Sequence, residues 1–133
     1  AASAACFLTE RLMNRRQQMS HADAHEWVHT QLGLTDEQEK QLAGIEQRYD
    51  EEKKNYGELI RLANMELAEA LLSDKADSPR VKTAIAKIHE AQGNLQNATV
   101  RHVFEMKPVL TPEQYDRLLN LTANALYEVN HAQ

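Results

Sequence analysis

From Thr35 to Ser73 the chain carries no proline, and its only two glycines there, Gly44 and Gly57, are isolated. A lone glycine weakens a helix by about 1 kcal/mol relative to alanine without ending it. Leu42, Ile45, Tyr49, Tyr56, Ile60, Ala63, Leu67 and Ala70 return to one face at the helical period. Thr35-Asp36-Glu37-Gln38 opens the segment as a capping box, in which the Thr35 hydroxyl accepts from the Gln38 N–H and the Gln38 side chain reaches back. Asp36 and Glu37 suit the positive end of a helix dipole. The spacing therefore predicts one helix on the order of 50 Å long. A rod of that length has to bury its apolar face against a second long helix.

The partner follows at once. Ser73-Asp74-Lys75-Ala76-Asp77-Ser78-Pro79 is the one clear loop, with Ser78 as N-cap and Pro79 in the first helical position. The helix it starts runs to about Lys107, because Pro108 disfavours helix at the residue before it. Val81, Ile85, Ile88, Gln92, Leu95, Thr99, His102 and Met106 form its heptad-like stripe. Two long helices joined by a short loop pair antiparallel. A shorter helix is predicted at each outer end: about His21–Leu32, stopped by Gly33, and one to about Asn130, opened by the capping box Thr111-Pro112-Glu113-Gln114. The fold class is all-α, an antiparallel hairpin with four helices. LTDEQ at 34–38 and LTPEQ at 110–114 recur, and capping alone accounts for both copies.

Composition supports this and narrows the function. Four glycines and three prolines are too few for an all-β fold, which needs a turn every 8–12 residues or so. Aromatics are 5% of the 133 residues, so the core is thin, built from Leu, Ile, Val and Ala. Twenty acidic against fifteen basic residues give a formal charge of -5, the wrong sign for a nucleic-acid-binding face. One cysteine excludes an internal disulfide and a cysteine-based zinc cluster. No run approaches the roughly 18 apolar residues of a membrane span. Residues 1–19 differ from the rest, with small apolar residues, Cys6-Phe7-Leu8, then Arg11, Arg15 and Arg16. They read either as a fraying tail or as the trailing end of a signal or anchor segment. Residues 20–133 form the domain.

Histidines carry the chemistry. His21, His25 and His29 are spaced i, i+4, i+8, which stacks imidazoles about 5–6 Å apart on one helix face, close enough for two to share a metal ion. The bland reading is a solvated polar face. His102 and Met106 are another i, i+4 pair, and they continue the apolar stripe of the 79–107 helix. With the hairpin folded about residue 76, His102 faces the neighbourhood of residue 50, which brings Glu46 alongside. The short Gly33-Leu34 turn folds the first helix over the same end. His25, His29, Glu46, His102 and Met106 are thereby expected in one neighbourhood. Three imidazoles, a carboxylate and a thioether make a transition-metal donor set.

His25-Glu26-Trp27-Val28-His29 also matches H-E-x-x-H, the helix of zinc metalloproteases. No strand is predicted that would hold a peptide by edge pairing. Two further donors would fill the position that catalysis keeps open. The expectation is therefore no enzyme. His89 and His131 fall outside both clusters and read as surface residues.

The motifs His21-Ala-Asp-Ala-His25-Glu-Trp-Val-His29, Glu46 and His102-Val-Phe-Glu-Met106 together resemble the CnrX-type periplasmic sensors of nickel and cobalt resistance. The resemblance spans about residues 21–130. The two LTxxQ boxes are similar to those of the wider group of periplasmic helical hairpins that includes the Spy and CpxP stress proteins. The resemblance implies a four-helix hooked hairpin that dimerises, with His25, His29, Glu46, His102 and Met106 as metal ligands and His21 outside the primary set. It implies nickel or cobalt as the metal, with zinc possible, a periplasmic domain tethered to the inner membrane, and a membrane-bound anti-sigma partner whose sigma factor is released on metal binding. Residues 1–19 would be the end of the anchor and its linker. A six-coordinate ion uses the Met106 sulfur, whereas zinc prefers four ligands and leaves it unbound, which makes Met106 the candidate switch. The wider group offers a second function, a periplasmic chaperone or a metal buffer.

Overall fold

The computed structural model describes residues 30–131. Three helices lie wholly within that range: α1 (Asp36–Asp74), α2 (Pro79–Glu105) and α3 (Pro112–His131). Residues 30–32 are the described end of a helix that stops at Gly33, whose φ of 63° is the left-handed conformation glycine adopts without strain. The predicted first helix otherwise lies outside the described residues. The all-α fold class holds, and the helix boundaries fall within about two residues of those read from the sequence. The described residues divide into two compact units, Asp36–Tyr115 and a second made of residues 30–35 together with 116–131.

The first of these units is the hairpin. Arg48 pairs with Glu105 at 2.9 Å, Lys87 with Glu66 at 2.9 Å and Arg101 with Glu52, so α1 and α2 run antiparallel in one continuous register. The side chains that close the seam differ along its length. Leu42, Ala63 and Ala70 are buried on α1, with Tyr49 and Tyr56 half-buried between them, a strict seven-residue spacing. On α2 the buried residues are Val81, Ala84, Ala91, Ala98 and Val103. Alanines thus line the loop half of the hairpin, where small side chains let two helix backbones approach. Leu42, Tyr49, His102 and Met106 occupy the far half, and Leu42 is the one large side chain that is fully buried among the described residues.

This corrects one expectation. The sequence stripe puts Ile85 and Gln92 on the α2 seam, yet Ile85 is 39% exposed and Gln92 is exposed, while Ala84, Ala91 and Ala98 face inward. A hydrophobic pattern weights isoleucine above alanine. Close helix packing selects the smaller residue, and the stripe is rotated by about one position.

The loop is tied as its composition predicts. Ser78 is the N-cap of α2, its hydroxyl accepting from the Val81 N–H at 3.3 Å, and Pro79 begins the helix. The same hydroxyl donates to Asp74 at 2.6 Å, and Arg80 bridges to that carboxylate. Lys75 ends α1 in the left-handed region at φ 53°, with its N–H on the Leu71 carbonyl at 3.1 Å.

At the other end of α2 the chain turns through residues 106–111 into α3. The second capping box is complete: Thr111 Oγ1 accepts from the Gln114 N–H at 3.2 Å, and Gln114 Oε1 accepts from the Thr111 N–H at 3.0 Å. Gln38, the fourth residue of the first box, extends across the hairpin. Its Nε2 donates to Gln114 Oε1 at 2.7 Å and to the Val109 carbonyl at 3.1 Å, and Gln114 Nε2 returns a bond to Gln38 Oε1 at 3.1 Å. The repeated LTxxQ motifs are therefore joined to each other through their glutamines, which capping alone does not explain.

In the second unit, Arg117 Nη2 donates to Gln31 Oε1 at 2.9 Å, and Leu32 and Leu118 are each 5% exposed. No helix among the described residues is long and apolar enough to cross a membrane.

Candidate metal centre

His102 lies in the last turn of α2, and its ring stacks on Tyr49 of α1, with centroids 4.4 Å apart and planes 10° from parallel. The sequence register had placed residue 50 opposite His102, one position from the observed partner. An aromatic pair of this kind fixes the plane of the imidazole and contributes about 0.5–1.5 kcal/mol beyond the area it buries. His102 Nδ1 is buried.

Tyr49 is itself held at its far end. Its hydroxyl and Thr99 Oγ1 are 2.8 Å apart, and Thr99 Oγ1 donates to the Leu95 carbonyl at 2.9 Å. Since the Thr99 hydroxyl gives its one hydrogen to Leu95, Tyr49 is the donor to Thr99. Lys53 lies one turn further along α1, its ammonium 5.6 Å from the Tyr49 ring centroid. Burial pushes the Tyr49 hydroxyl up from its ordinary value, with Asp50 and Glu52 acting in the same direction. Burial pushes the Lys53 ammonium down, and Asp50 offsets part of that.

Met106 is the C-cap of α2 and is 3% exposed. A buried methionine is most often plain core, and its sulfur is also a soft ligand. Its carbonyl accepts the Val109 N–H at 3.1 Å and the Leu110 N–H at 3.3 Å, so the residue opens the turn that leads into α3. Glu46 is half-buried, one turn before Tyr49 on α1. In the register set by the Tyr49–His102 and Arg48–Glu105 pairs it stands level with the last turn of α2. Glu105, between His102 and Met106, points elsewhere: it binds Arg48 and approaches Arg101 Nε at 3.9 Å on the exposed flank.

Of the five predicted donors, Glu46, His102 and Met106 therefore belong to one end of the hairpin. His25 and His29 lie outside the described residues, as does His21. Among the described residues no group of three His, Cys, Asp or Glu side chains gathers as a metal ion would need. Glu46 and His102 are the only predicted donors of those types in that part. A carboxylate, an imidazole and a thioether at one helix-hairpin end are chemically suited to a borderline transition metal and unsuited to calcium or magnesium, which take oxygen ligands.

Sequence reasoning missed two features. The sequence pattern marks Tyr49 as a seam residue and not as the partner of His102, although the loop position sets the register to within one residue of it. The Gln38–Gln114 pair is hidden behind the capping role that the sequence assigns to each glutamine; the repetition of LTxxQ is the available signal.

The sequence pattern of a family described as heavy-metal resistance matches residues 1–117. The nickel and cobalt resistance protein CnrR of Cupriavidus metallidurans is similar to this chain, 35% identical over 109 residues that cover 80% of the chain and 74% of the relative.

Proposed function

The chain belongs to the heavy-metal resistance family, and from that premise we propose that it senses a transition metal, nickel or cobalt. His25, His29, Glu46, His102 and Met106 would hold the ion, with three imidazole nitrogens, a carboxylate and a thioether sulfur. A bound ion would supply the positive charge that these donors neutralise. Support comes from one observation above the rest: His102 is oriented by its stack on Tyr49 at the hairpin end that also carries Glu46 and buried Met106.

The residues do distinct work. Tyr49 holds the His102 ring in plane, so the imidazole does not lose orientational freedom when it becomes a ligand. Glu46 supplies negative charge from the opposing helix. Met106 supplies the discriminating donor, because raw affinity rises toward copper for most such sites and selection has to come from geometry. Zinc fits four nitrogen and oxygen donors and leaves the sulfur aside. Protons compete for the imidazoles, so binding weakens as pH falls through their titration range.

In this reading the domain lies in the periplasm, anchored to the inner membrane through residues 1–19. It works as a homodimer on a membrane-bound anti-sigma factor, controlling an efflux response, and acts without catalysis. Calorimetric titration of the full chain with nickel, cobalt and zinc tests it, with His102→Ala as the control. One tight site per chain, lost in the variant, is expected; equal binding by both would defeat the proposal.

A Spy- or CpxP-like chaperone or metal-buffer role is the second reading. Exposed apolar residues on α1, Leu59, Leu62, Met65 and Leu72, favour the chaperone form. Metal-independent suppression of client aggregation would favour it over sensing.

A further inference from the structure

The two LTxxQ motifs do more than start helices. Gln38 Nε2 bonds both Gln114 Oε1 and the Val109 carbonyl, and Gln114 closes the ring with its own Nε2 on Gln38 Oε1. Val109 is also hydrogen-bonded in the other direction, its N–H on the Met106 carbonyl at 3.1 Å, with Leu110 beside it at 3.3 Å. Thr111, the next residue, donates its N–H to Gln114 Oε1 at 3.0 Å. A continuous chain of hydrogen bonds thus runs from Met106 through Val109 to the start of α1, and through Gln114 to the start of α3. The whole chain lies within the Asp36–Tyr115 unit.

We propose that Gln38 and Gln114 form a clamp that sets the position of Met106 for metal capture, acting as positioning residues through the 106–111 turn. The inference rests on the metal-sensor reading of the same site and adds its control element. Met106 ends α2 and so lacks the following helical turn that would otherwise fix it. The turn is short, and Pro108 within it donates no backbone hydrogen bond. The Val109 carbonyl ties the turn to α1 through its bond from Gln38 Nε2. Opening the clamp frees Val109 and Leu110, and with them the backbone that carries the Met106 sulfur. By linkage, clamp closure and Met106 engagement strengthen each other by the same factor.

Two variants separate the parts. Gln38→Leu removes both amide partners. Gln38→Glu is nearly the same size and keeps an acceptor for Gln114 but has no N–H for the Val109 carbonyl. Amide hydrogen exchange of the metal-free chain is the first readout, and both variants should speed exchange at Val109 and Leu110 by about tenfold while Leu42 and Ala63 stay protected. Cobalt absorption is the second: both variants should still bind cobalt but lose intensity in the sulfur-to-cobalt charge-transfer band. Unchanged exchange at Val109 and Leu110, or cobalt binding with the full sulfur band in both variants, overturns the clamp. If the unsubstituted chain binds no cobalt, the sensor reading fails, while the exchange data still decide whether the glutamines hold the turn. Should Gln38→Leu fail to fold, Gln38→Glu carries the test alone.

Discussion

Replacing Tyr49 separates the two interactions made by one side chain. Tyr49→Phe keeps the ring and its stack on His102 and removes only the hydroxyl. Thr99 retains the Leu95 carbonyl as partner for its hydrogen, so no buried donor is left stranded. The cost should be that of one neutral hydrogen bond, about 0.5–1 kcal/mol. For a chain of this size that is a fall in Tm of about 2–5 °C. Tyr49→Leu removes the stack as well, about 0.5–1.5 kcal/mol beyond area, and leaves a poorly filled space. Its total should be about 2–3 kcal/mol by the same reckoning. Urea titration followed by circular dichroism measures both. Cobalt affinity should split differently: within about twofold of the unsubstituted chain in Tyr49→Phe, and weaker by about three- to tenfold in Tyr49→Leu, because only the second frees the His102 ring. A Phe variant that binds cobalt as weakly as the Leu variant would refute the idea that stacking orients His102.

Other consequences follow from single residues. Leu42→Ala empties the one large fully buried position among the described residues and should cost about 2–5 kcal/mol in denaturant titration, far more than Leu59→Ala on the exposed side. Lys75→Gly relieves a left-handed backbone at the end of α1 and should stabilise by about 0.5–1 kcal/mol, read as a higher Tm. Ultraviolet titration of the tyrosines should show one group ionising above its usual range, absent in Tyr49→Phe. Because burial raises that folded-state pKa, the contribution of Tyr49 is complete below the unfolded value near 10 and is lost as pH rises through the folded one. Chemical denaturation between pH 9 and 11 should therefore show a steeper loss in the unsubstituted chain than in Tyr49→Phe, by roughly the same linkage.

The helices were legible because their ends are chemically marked. Thr35, Gly33, Ser78-Pro79 and Thr111-Pro112 each act locally, and each holds in the structure at the place the sequence puts it. The hairpin register was legible too, since one short loop fixes it and brings His102 to within one residue of its observed partner. The α2 seam was misread at Ile85 and Gln92, because burial between close helices rewards small side chains and a hydropathy pattern cannot weigh that. The Gln38–Gln114 pair was not legible, because it joins residues far apart in sequence whose local roles were already accounted for. The donors were nameable from spacing and family resemblance. Glu46, His102 and Met106 fall at one hairpin end, and His25 and His29 lie outside the described residues.

X-ray absorption spectroscopy of the full chain loaded with one equivalent of cobalt or nickel tests the central proposal most directly. A six-coordinate shell of nitrogen and oxygen donors with one sulfur is expected, the sulfur vanishing in Met106→Leu while the histidine signal persists. A shell without sulfur in the unsubstituted chain, or one unchanged in both Met106→Leu and His102→Ala, would contradict it.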